Sequence, residues 1–92
     1  MESRREQAIR IADRLAMHFI YHGKAEMIFY CEGGGEVKLL AEQPKLERMG
    51  VIFLEEKGGV LVASNDLVTG IEGVLEHLER KRGCRVAHVL IE

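Results

Sequence analysis

Two stretches of the chain repeat their apolar residues with the period of an α-helix, and five shorter ones are apolar runs of strand length. In the first helical stretch Ala8, Ala12, Leu15 and Phe19 line one face, with Ile9, Ala16 and Ile20 on one flank and Ile11 on the other. That spacing predicts an amphipathic helix from about Glu2 to His22, with a face wide enough to need a sheet as its cover. Ser3 with Glu6 three residues on is a capping-box pattern, and Gly23 follows the last periodic residue.

The second helical stretch carries Leu67, Ile71, Val74, Leu75 and Leu78 on one stripe, while Glu72, Glu76, Glu79 and Arg80 fall elsewhere on the wheel. Asn65 or Asp66 can cap a helix starting at Leu67; alternatively Thr69 caps a shorter one, with Glu72 completing a capping box. Gly70 and Gly73 weigh against the longer helix, each at about 1 kcal/mol. The longer helix is preferred here. Its end is marked by Arg80, Lys81 and Arg82, which suit the negative helix terminus, and by Gly83. Apolar runs precede it (Val60 to Ala63) and follow it (Val86 to Ile91), the pattern of a strand–helix–strand crossover. The last run has Val86 and Leu90 on one face and Ala87, Val89 and Ile91 on the other, which predicts a strand interior to its sheet.

Between the helices lie two hairpins. Ala25 to Cys31 and Glu36 to Ala41 flank Glu32-Gly33-Gly34-Gly35, and Gly50 to Glu56 and Val60 to Ser64 flank Lys57-Gly58-Gly59. Gln43 to Met49 is a connector in which Pro44 can start one helical turn. The alternative is a helix from Pro44 to Lys57, which the Val51-Ile52-Phe53-Leu54 run disfavours. The order α-β-β-β-β-α-β predicts an α+β fold: one domain over residues 1–92, a single mixed, mostly antiparallel sheet, and two helices on one face.

Composition narrows the class. Ninety-two residues, 47% hydrophobic and 30% charged, make one small globular domain for which dimerisation is an easy source of stability. A net charge of −2 argues against broad attraction to nucleic acid or anionic membrane. No apolar run reaches a membrane span, and the charged beginning MESRREQAIR has no leader-like apolar core, so a cytoplasmic protein is expected. Two cysteines are too few for a disulfide framework, and Cys31 reads as a small buried hydrophobe. Scarce Asn and Gln lean towards a thermophilic source.

Candidate chemistry is sparse. His18 and His22 have the spacing of two metal ligands, but no third ligand is evident, and a helix-end role is the plainer reading. Cys84 and His88 lie about 13 Å apart along a strand, too far for a nucleophile–base pair. Gly33 to Gly35 lack the following helix that a phosphate loop needs. No catalytic group, metal or cofactor is therefore expected, and the leading expectation is a non-enzymatic module for protein interaction or self-association, an accessory subunit or homodimer. Its proposed interface is Arg10, Arg14, Met17 and Tyr21, opposite the core face of the first helix. The last strand offers a second route: as an edge, it would pair with a copy of itself. The alternative is a nucleic-acid-binding regulator. If the first and last strands ran parallel, Lys24, Arg80, Lys81, Arg82 and Arg85 would gather at one rim. A third class, an enzyme or small-ligand sensor, would need a pocket between helices and sheet carrying His22, Tyr30 or His88.

Overall fold

The computed structural model describes residues 2–44 and 50–92. The first helix, α1 (Arg4–Tyr21), starts as its sequence dictates: the Ser3 hydroxyl accepts from the Glu6 N–H, and the Glu6 carboxylate accepts from the Ser3 N–H. Ala8, Ile11, Ala12, Leu15 and Phe19 are buried. Of the predicted flank, Ile9 and Ile20 remain exposed.

The strands β1 (Lys24–Cys31) and β2 (Glu36–Glu42) form the first hairpin, turned through Gly33, Gly34 and Gly35 with φ of 85°, 111° and 91°. Side chains would strain that backbone, so the glycine run is explained by the turn. β3 (Val51–Glu55) and β4 (Val60–Ser64) form the second. Residues 51–55 are extended, which overturns the helix from Pro44 to Lys57; the single turn expected at Pro44 falls on residues 45–49, outside the described ones. The second helix, α2 (Leu67–Arg82), is the longer alternative. Its cap is Asp66, whose carboxylate accepts from the Thr69 N–H at 2.9 Å, and Gly83 closes it in the left-handed conformation. β5 (Val86–Ile91) ends the described chain of elements.

These residues form a five-stranded sheet in the order β4-β3-β2-β1-β5, antiparallel at every neighbouring pair. β4 and β5 do run the same way, as a crossover requires, but they stand at opposite edges and make no parallel ladder. The interior position expected for β5 is therefore wrong. Its two apolar faces have another cause. The pairing shifts register between Tyr30 and Cys31, so that His88 faces Tyr30, Val86 faces Cys31, and Ala87 faces nothing. This bulge puts both Val86 and Val89 on the core side of an edge strand.

Both helices lie on one face of the sheet, and their order along it is antiparallel: Arg4 at the start of α1 pairs with Glu79 near the end of α2. Met27, Phe29, Leu39, Ala41, Val51, Phe53 and Val89 meet them there. Gly70 is what lets α2 sit down on β3 and β4. A Cβ at that position would lie 2.9 Å from Val51 Cγ1 and 3.2 Å from Phe53 Cε2. Cys31, at the end of β1, and Cys84, between α2 and β5, are joined by a disulfide with Cα atoms 5.1 Å apart. This corrects the reading of Cys31 as a free buried hydrophobe. The β1–β5 pairing brings two residues far apart in sequence within bridging distance, which no spacing rule reveals.

Candidate protein-interaction surface

Strand alternation assigns every second residue of the sheet to the face away from the helices. There β1 presents Lys24, Glu26, Ile28 and Tyr30; β2 presents Glu36, Lys38, Leu40 and Glu42; β3 presents Ile52 and Leu54; β5 presents His88 and Leu90. Among the described residues no layer covers this face. The pairing sets Leu40 beside Leu54 and Leu54 beside Val60, with Ile52 beside Ala63, so one apolar group spans β2, β3 and β4. A second lies across β1 and β5, where Ile28 faces Leu90 and the rings of Tyr30 and His88 stack with centroids 4.6 Å apart. Between the two groups runs a depression of about 490 Å³ lined by Glu26, Lys38, Leu40 and Glu92. Lys24 pairs with Glu42 across the hairpin, so among the described strand residues of this face Glu26, Glu36 and Glu92 stand with Lys38 as the remaining lysine.

The two edges of the sheet differ. Glu26 and Glu92 exchange both backbone hydrogen bonds, and alternation from that pair turns the Val89 carbonyl away from β1. Two side chains of α1 meet the outer edge of β5: Arg14 Nη1 donates to the Val89 carbonyl at 2.9 Å, and Gln7 Nε2 donates to the Val86 carbonyl at 3.0 Å. His18 Nε2, on the same flank, lies 3.1 Å from the Lys24 carbonyl. At the other edge, no described side chain bonds the backbone of Val60 to Ala63.

The stripe expected as an interface is only partly as drawn. Met17 and Tyr21 are exposed, at 60% and 77%, and Ile20 joins them at 68%. Arg14 is committed to β5, however, and Arg10 to a two-bonded pair with Glu2, at 2.9 and 3.1 Å. That bond holds the Glu2 carboxyl below the usual carboxylate range and raises the Arg10 guanidinium. The basic rim does not assemble, because β1 and β5 are antiparallel. Lys24 begins β1, whereas Arg85 lies at its other end, 3.8 Å from Glu32. Arg80 pairs with Glu76 and Arg82 with Glu55; Lys81 is exposed beside them. Nor do the residues of the third class share a pocket. His22 caps α1 against the His18 ring, at 4.8 Å, while Tyr30 and His88 stand on the far face at the other end of β1. Among the described residues no polar or charged side chain is buried and no three metal-ligating side chains converge.

The uncovered face escaped the sequence reading, although its signal is in the chain. Strands β1 to β3 carry apolar residues at positions of both parities, Met27 with Ile28, Leu39 with Leu40 and Phe53 with Leu54. A strand with one wet face would alternate instead. No protein-family model matches the chain, and neither a curated protein nor a solved structure matches it. No helix among the described residues is long and apolar enough to cross a membrane.

Proposed function

We propose that this chain is a small non-enzymatic interaction module, and that its working surface is the sheet face opposite the helices. The observation that carries the reading is the pair of apolar groups on that face, Leu40-Leu54-Val60 and Ile28-Leu90, with no layer over them among the described residues. Apolar patches of this kind mark contact sites. The carboxylates of Glu26, Glu36 and Glu92 around them favour a protein partner that brings apolar side chains flanked by Lys or Arg, and they repel nucleic acid.

The test compares the wild type with an Ile28→Lys/Leu40→Lys double variant as immobilised baits, with any protein retained only by the wild type purified and titrated against both. The expected result is a partner whose affinity falls by roughly tenfold or more in the variant while far-ultraviolet circular dichroism stays unchanged. Identical retention by both baits, or no retained protein, overturns the reading.

The cytoplasmic location expected from the sequence becomes part of this proposal with a condition attached. A Cys31–Cys84 disulfide persists in a cytoplasm chiefly in hyperthermophiles, which agrees with the scarcity of Asn and Gln.

A further inference from the structure

We infer that β4 is a self-association edge, pairing antiparallel with β4 of a second copy across a twofold axis near Val62 to make one continuous sheet. Four observations converge on it. The opposite edge is partly closed, since Gln7 and Arg14 occupy two outward carbonyls of β5, those of Val86 and Val89. At β4 no described side chain takes the backbone of Val60 to Ala63. Those four residues, Val-Leu-Val-Ala, include no charge and no proline, two of the devices that protect edge strands; the one interruption is the register shift opposite Phe53 and Leu54, which leaves Leu61 without a partner in β3. On the helix side α2 offers Gly73 over Val62, where even a Cβ would be 3.5 Å from Val62 Cγ1, so no side chain at that position overhangs the strand.

The strand is also self-complementary in charge. Lys57 stands just before it and Asp66 just after it, on the two sides of Val62. Antiparallel pairing about the strand's middle brings Lys57 of each copy towards Asp66 of the other; parallel pairing would set like against like. Val60, 63% exposed, would gain cover at the junction, and the two open faces would join into one surface of double width. The inference goes beyond the docking reading, since an edge is used here and a face there.

Sedimentation velocity from about 10 µM to 1 mM, together with amide hydrogen exchange at both ends of that range, tests it. The expected result is a concentration-dependent shift from the 10.4 kDa monomer to a dimer. Protection at Val60 to Ala63 should rise with concentration while β5 stays unchanged. Val60→Lys, a substitution at an exposed position, should hold the protein monomeric with its circular dichroism intact, and Lys57→Glu should weaken the dimer in a salt-dependent way. A monomer at 1 mM overturns the inference. So does a dimer that survives Val60→Lys with no added protection in β4. The Ile28→Lys/Leu40→Lys variant leaves this edge alone, so loss of partner binding there with the dimer retained separates the two surfaces.

Discussion

Arg14 Nη1 donates a hydrogen bond to the carbonyl of Val89, a residue 75 positions further along the chain, and so lays a helix side chain over the outer edge of β5. With Gln7 on Val86 it covers two outward carbonyls of that edge, which makes it a poorer template for pairing. Replacing both by alanine should cost about 1–2 kcal/mol in urea denaturation, since two carbonyls return to solvent contacts. It should also raise light scattering at millimolar concentration. Unchanged stability and scattering would mean the two contacts close nothing.

The seat of α2 on the sheet gives opposite expectations for two neighbouring glycines. Gly70→Ala should destabilise by about 1–3 kcal/mol, because a methyl at 2.9 Å from Val51 Cγ1 must push apart a packed junction. That outweighs the helix-propensity gain of about 1 kcal/mol. Gly73→Ala meets Val62 at ordinary contact distance and should be neutral or stabilising by up to about 1 kcal/mol. Urea midpoints of the two variants, measured side by side, check the contrast.

The disulfide closes a separation of 53 residues. On a loop-closure view its removal by Cys31→Ser/Cys84→Ser should cost about 4 kcal/mol, chiefly by freeing the unfolded chain. The folded spectrum of the variant should match the wild type at room temperature, with a melting temperature lowered by many degrees. A reductant should reproduce that shift in the wild type and leave the variant unaffected.

Asp66 sets a pH dependence whose sign follows from its cap. The Thr69 N–H, and then the Thr69 hydroxyl, bond the carboxylate and hold its pKa below the ordinary value. A depressed folded pKa contributes stability above the unfolded pKa, and that contribution disappears as pH falls through the folded one. The melting temperature of Asp66→Asn, which keeps a capping oxygen without the charge, should therefore fall less steeply than the wild type's below about pH 4. Glu2, depressed by Arg10, adds a slope of the same sign to both proteins and cancels in the comparison. Parallel curves would show that the cap is indifferent to charge.

Much of this architecture was legible because its determinants are local. Ser3 and Glu6 cap their helix, Gly33 to Gly35 and Gly58 turn their hairpins with positive φ, and Gly83 stops α2 in the left-handed region. What stayed hidden depends on pairing between distant segments. The two apolar faces of β5 come from the register shift opposite Tyr30 and Cys31, which makes an edge strand read as an interior one. The basic rim rested on the relative direction of β1 and β5, which the sequence left open. Arg14 falls opposite the core face by its spacing along the helix, whereas its long side chain reaches the Val89 carbonyl of the sheet.

The strand order has a consequence for synthesis. β1 to β4 form a meander of neighbours and can pair as they are made, but the place beside β1 stays vacant until residues 86–91 have been translated. Throughout that interval β1, one strand in from the finished edge, is exposed as a raw border on the nascent chain. The Cys31–Cys84 disulfide ties the segment leading into β5 to the end of β1, beside the place that strand must fill.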